Sequence, residues 1–145
     1  MRVCIDTNIL VSYLLNSGAQ SPPARIVEAF LMKRFDLIVS ETTIHELQDK
    51  ITNKQYLKDR IPLDHVQELI SLLREAATIV PELSGHIPPI VRDVKDDYLV
   101  AHSLIEKVDY LVSGDKDLLS LGGVDHLRIV SPADFVLLLD TLDQE

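Results

Sequence analysis

The chain has 145 residues, 46% of them hydrophobic, and 14 Lys+Arg against 23 Asp+Glu leave a formal charge of −9. Length and apolar content suffice for one core burying roughly two-thirds of the unfolded surface, while the acidic balance excludes broad, non-specific attraction to nucleic acid. Cys4 is the single cysteine and has no internal disulfide partner, no apolar run approaches the ~20 residues of a membrane helix and no charged leader precedes an apolar segment, so a soluble, cytoplasmic, single-domain protein over residues 1–145 is expected.

Strand and helix patterns alternate along the chain. Arg2 to Ile5 is a short β-rich run. Asp6-Thr7-Asn8 then supplies helix-capping side chains before Ile9, Leu10, Val11, Leu14 and Leu15 mark an apolar helical face. Ser21-Pro22-Pro23 opens a second helix, since proline is tolerated in a first turn, and Ile26, Val27, Phe30 and Leu31 follow at helical spacing. Leu37-Ile38-Val39 reads as the second strand. Helical periodicity returns with Ile44, Leu47 and Ile51, and again after Pro62 with Val66, Leu69, Ile70, Leu73 and Ala77, so two consecutive helices precede the third strand, Thr78-Ile79-Val80.

Between Glu82 and Arg92, Gly85 and Pro88-Pro89 indicate an ordered loop. Asp96-Asp97 opens the next helix, with Leu99, Val100, Leu104 and Ile105 on its face. Tyr110-Leu111-Val112 is the fourth strand, Gly122-Gly123 a turn, and Leu127 to Val130 the fifth strand. Ser131-Pro132 then caps a last helix through Phe135 and Leu139.

Acidic residues punctuate this pattern. Asp6 follows the first apolar run, Glu46 comes shortly after the second, Asp96-Asp97 opens a helix, and Asp115 follows Tyr110 to Gly114. If the runs are parallel strands, these carboxylates reach one edge of one sheet, where open α/β sheets place ligands. Two ionised carboxylates about 4 Å apart repel by roughly 4 kcal/mol at an effective dielectric of about 20. A cluster of them must therefore keep protons or hold a cation. Mg²⁺ or Mn²⁺ answers this with oxygen ligands, retained waters and room for a phosphate.

Each acid also has a plainer reading. Asp6 can N-cap the helix that starts near Asn8. Thr43-Ile44-His45-Glu46 has capping-box spacing, in which Glu46 would bond back to the backbone. Asp96 and Asp97 suit a first helical turn. Asp115 can end the turn after Gly114, with Asp117 close by as a competitor for either role. The dispersed histidines offer no rival centre: His45-Glu46 has Asp49 where a zinc-protease helix needs a second histidine, and His65, His86, His102 and His126 fit surface or packing roles.

Taken together, Val3-Cys4-Ile5-Asp6-Thr7-Asn8, Glu46 on a helix after the second strand, Arg92-Asp93-Val94-Lys95-Asp96-Asp97 and Ser113-Gly114-Asp115-Lys116-Asp117-Leu118-Leu119 resemble PIN-domain nucleases, in particular the PIN-family toxins of prokaryotic toxin–antitoxin systems. The resemblance runs from Arg2 to Leu139. It implies a three-layer α/β/α domain with a mostly parallel five-stranded sheet, and a Mg²⁺- or Mn²⁺-dependent endoribonuclease. By similarity Asp6, Glu46, Asp97 and Asp115 take the acidic positions, with Asp96 and Asp117 as supplements. Thr7, Asn8 and Ser113 would support them by hydrogen bonding. An RNA substrate, a small antitoxin protein and a homodimer are the implied partners, with no membrane. The apolar helices Ile9 to Leu15 and Val66 to Leu73 would serve as an interface only if their exposed faces are hydrophobic.

For RNA binding, the most basic stretch is Lys50, Lys54, Lys58 and Arg60, with Lys33 and Arg34 as neighbours; a groove and a solvated helical face are both compatible with it. Two other readings stand beside the nuclease. A catalytically silent PIN scaffold would serve as a protein-binding module. A receiver-like phosphoacceptor signalling domain also places acids at strand ends, but here acids fall on two helices and Arg128 lies within the fifth strand where a lysine at its end is needed.

Overall fold

The computed structural model describes residues 1–16, 18, 20–83 and 94–143; the expected loop features Gly85, Pro88-Pro89 and Arg92, the motif residue Asp93, His86 and the side chain of Asp96 lie outside the described residues. In chain order the elements are β1 (Arg2–Ile5), α1 (Thr7–Leu15), α2 (Pro22–Leu31), β2 (Asp36–Ser40), α3 (Glu41–Asn53), α4 (Gln55–Arg60) and α5 (Leu63–Ala76). There follow β3 (Thr78–Val80), α6 (Val94–Ile105), β4 (Tyr110–Val112), α7 (Lys116–Leu121), β5 (Gly123–Val124), β6 (Leu127–Val130) and α8 (Pro132–Asp143).

The strands form one sheet in the order β3-β2-β1-β4-β6-β5. Every pairing from β3 to β6 is parallel, and only β5 runs antiparallel to its neighbour. Parallel strands are covered on both faces, so their residues alternate between two apolar layers. Val3, Ile5, Leu37, Val39 and Val112 join a core shared with α1, α2, α3, α5 and α8. Cys4, Ile38, Leu111 and Ile129 face the opposite way and pack with Val100 of α6 and Leu118 of α7. The expected three layers and mostly parallel sheet are thus observed.

The sheet has six strands where five were expected. The extra strand is β5, a two-residue element that begins at the second glycine of the expected Gly122-Gly123 turn. Gly122 ends α7 with φ +67°, a left-handed conformation that favours glycine. A Cβ on Gly123 would meet the Leu127 carbonyl oxygen at 2.8 Å, so only glycine lets this edge approach β6. Two short helices, α4 and α7, also went unread, since each offers one fully buried residue, Leu57 and Leu118 respectively, and no period can be seen in that. Helix α6 begins at Val94 rather than at Asp96.

Local chemistry explains the other starts. Ser21 accepts from the Ala24 N–H with prolines in the first turn of α2, and Ser40 accepts from the Thr43 N–H at the head of α3. Arg74 reaches from α5 with both guanidinium nitrogens to Glu41, at 2.9 and 3.1 Å, and holds that carboxyl below its usual range. Ile9, Leu10, Val11 and Leu14, like Val66, Leu69, Ile70 and Leu73, are buried in the core, so the apolar faces of α1 and α5 are already occupied. No helix among the described residues is long and apolar enough to cross a membrane.

At the foot of the first core, fully buried Phe135 meets Phe35 edge-on at 5.4 Å and lies 6.1 Å from Tyr110. It joins α8 to the β2 approach and to β4, and no small side chain could keep all these contacts. Phe135→Ala should cost roughly 3–5 kcal/mol of unfolding free energy, read from the urea midpoint at unchanged slope; a loss below about 1 kcal/mol would show that this aromatic cluster does not anchor α8.

Candidate active site at the carboxyl edge of the sheet

The chain passes from β1 to β2 on one side and places β4 on the other, so β1 and β4 flank the point at which strand order reverses. Open α/β sheets bind ligands in the crevice outside such a point. Asp6 stands there. Its N–H donates to the Val112 carbonyl at 2.9 Å, extending the ladder one residue past the strands, and its carboxylate begins α1.

Two donors hold that carboxylate. The Asn8 N–H reaches Oδ1 at 3.1 Å, and the Ser113 hydroxyl reaches Oδ2 at 2.8 Å. Ser113 is completely buried, and its own oxygen accepts the Asp115 N–H at 3.0 Å. Asp115 in turn caps α7, its Oδ1 accepting from the N–H groups of Asp117 at 2.8 Å and Leu118 at 3.2 Å. Capping and site placement are therefore compatible at both aspartates, because a carboxylate offers about four acceptor positions and a cap uses one or two.

Glu46 approaches from α3. Thr7 donates to its Oε2 at 3.1 Å, so the glutamate is held across a gap between helices and does not fold back as a capping box; Ser40 performs the capping at that end. Asp6, Thr7, Asn8, Glu46 and Asp115 line one cavity of about 90 Å³, with Asp115, Asp6 and Asn8 shared by an adjoining open cleft that also reaches Asp117. Asp97 is buried on α6, next to Tyr98; Tyr98, Leu99 and His102 form the cavity wall on that helix. No three His, Cys, Asp or Glu side chains among the described residues are close enough together to hold a metal by themselves.

The wall also contains residues that the sequence pattern does not place at the site. Tyr98 accepts from the Thr42 hydroxyl at 3.0 Å and bonds the Leu83 N–H, which joins α6, α3 and the segment after β3. Its ring lies 5.6 Å from that of His102, a buried residue whose Nε2 is 3.2 Å from the Pro81 carbonyl. The four-residue interval from Tyr98 to His102 was the available signal, since it puts both on one helical face. Lys50 is one turn beyond Glu46 on α3 and also lines the cavity.

Cys4 lies at the floor. Burial pushes its thiol up to about 11, against a smaller opposing effect of the Ser103 hydrogen bond. At neutral pH it is protonated and no nucleophile. A thiol-reactive chromophore at about pH 8 should label it only on unfolding; rapid labelling of the native protein would contradict this packing. Ser113→Ala removes one donor to Asp6 and leaves the Asp115 N–H without its acceptor, so it should cost roughly 1–3 kcal/mol in urea denaturation, and no loss would mean the strand ends are held by other contacts.

The PIN domain family matches residues 2–117 of the chain. Its fold is similar to that in the crystal structure of VapBC2 from Rickettsia felis bound to a DNA fragment from their promoter, with TM-score 0.61 and 16% identity over 90% of this chain and 98% of that one. No curated protein sequence matches it. PIN domains are generally nucleases, and the family generally uses divalent metal ions. With the family matched over most of its length, the chain belongs to the PIN domain family.

Proposed function

We propose that the chain is a metal-dependent endoribonuclease, built as a single domain, that hydrolyses RNA phosphodiester bonds as the toxin of a toxin–antitoxin pair. The observation that carries this reading is the convergence of Asp6, Glu46 and Asp115 on one cavity at the switch point, with Asp6 and Glu46 each fixed by a hydroxyl from another element. The family match over residues 2–117 supports it.

The donor set fits a hard cation. All the candidate ligands are carboxylate oxygens, and Mg²⁺ commonly takes only one or two of these, keeping waters and a substrate phosphate for the rest. Asp6, Glu46, Asp97 and Asp115 would form the acidic surroundings of Mg²⁺ or Mn²⁺, one or two of them as direct ligands and the others through its retained waters, with Asp96 and Asp117 as supplements. Such an ion, when bound, orients the scissile phosphate, stabilises developing charge and lowers the pKa of an attacking water.

The chain's own residues supply the positioning. Ser113 keeps Asp6 from turning toward bulk water, and Thr7 does the same for Glu46. Such outer partners matter to ligand geometry nearly as much as the ligands do. Asn8 presents its exposed amide at the cavity mouth. The proposed setting is cytoplasmic, with a small antitoxin protein and a second copy of the chain as partners.

Asparagine is as good an N-cap as aspartate, so Asp6→Asn can remove the charge while leaving α1 started. We expect purified protein to cut a mixed structured and single-stranded RNA pool with Mn²⁺ or Mg²⁺ and to stop with chelator. Asp6→Asn, prepared identically, should abolish the cutting at unchanged melting temperature. Equal cutting by both proteins would assign the activity to a contaminant or another site, and none by the parent across the pool would favour the silent scaffold.

A further inference from the structure

We infer that Lys50 is the substrate-phosphate contact of this site, a role that rests on the ribonuclease reading above. It is the only lysine or arginine among the described residues lining the cavity that holds Asp6, Glu46 and Asp115. The neighbouring cations Lys54, Lys58 and Arg60 are exposed and do not line it. The basic stretch thus resolves into one cation that lines the cavity and three that do not.

What distinguishes Lys50 is the partner it does not take. Glu46 and Lys50 are spaced i and i+4 with the acid first, the best helical orientation for an ion pair. Glu46 instead accepts from Thr7, and the Lys50 ammonium donates to the Asn8 Oδ1 at 2.6 Å. Among the described residues no carboxylate lies within ion-pairing distance of Lys50. Among the described residues the neutral Asn8 amide is its side-chain partner, and it takes up one of the three N–H donors of the ammonium. In a chain with 23 acidic residues, a cavity-lining cation whose ammonium is accessible and bonded to a neutral amide is disposed for an anion that arrives from outside. Lysine binds phosphate as a point charge, so the contact needs no base identity and suits the RNA backbone.

The test is binding of a short labelled single-stranded RNA in chelator across a salt series, by fluorescence anisotropy, with parent, Lys50→Met, Lys50→Arg and Lys54→Met. Losing the contact should weaken binding about tenfold and lower the salt slope by about 0.7. Lys50→Arg should keep the slope and Lys54→Met should change neither quantity. In metal, Lys50→Met should raise KM far more than it lowers kcat, which loss of structure alone would not produce. The inference falls if Lys50→Met binds like the parent, if Lys54→Met is equally weakened, or if the parent binds no RNA. Parent RNA binding lost in Lys50→Met, without metal-dependent cutting by the parent, would uphold the contact and defeat the nuclease reading.

Discussion

The buried hydroxyl of Ser113 donates to Asp6 and accepts from the backbone N–H of Asp115, and it can do both only if β1 and β4 end side by side. Much of the rest follows from that requirement. The two strands are separated by more than a hundred residues, and the chain must build β2, β3 and their helices on one flank before returning to lay β4 on the other. Reversal of strand order leaves a crevice between the departing loops. Two apolar layers hold the strands in register from above and below, so the edge that carries the acids is rigid although it is wet.

Capping a helix and orienting a carboxylate are one device at this edge. A helix N-terminus leaves backbone N–H groups without intrahelical partners, and aspartate satisfies them while its charge is favoured there. Asp6 and Asp115 each do this for the helix that follows their strand. Fixing one oxygen by backbone donors orients the other, which costs less side-chain entropy than ordering a free carboxylate when a cation arrives. Glu46 has no such cap, being in the second turn of α3, and the Thr7 hydroxyl takes over the orienting role.

How much of this the sequence discloses depends on range. The apolar strands β1, β2 and β4 are legible because burial on both faces leaves continuous Val, Ile and Leu runs. The longer helices are legible from their period, with Ser21 and Ser131 announcing two of the starts. Elements α4, α7 and β5 are too short to display one. The acids stand out because each follows a recognisable element, whereas the Thr7 to Glu46 bond joins residues 39 positions apart and has no local signature. The capping-box alternative for Glu46 therefore stays open in the sequence and is closed only by the position of α3 against α1. The place of Tyr98 and His102 in the cavity wall, and the difference between Lys50 and its basic neighbours, are hidden for the same reason: nothing in their own helices says which face meets the cavity.

A net charge of −9 appears at odds with a polyanionic substrate, and range again resolves it. At physiological ionic strength exposed charges are screened beyond about 8 Å, so acids elsewhere on the surface, such as Asp64 or Asp134, exert little force at the switch point. What a phosphate meets there is set by the groups lining the cavity. Carboxylates alone would repel it, and in the proposed nuclease a bound divalent cation reverses that sign. The Lys50 ammonium, one helical turn from Glu46 and without an ion-pair partner among the described residues, adds a second positive element that persists without the cation. In that proposal the overall acidity acts mainly at the encounter stage, slowing non-productive attachment of RNA to the remaining surface while leaving the crevice as the place where a phosphate is favoured.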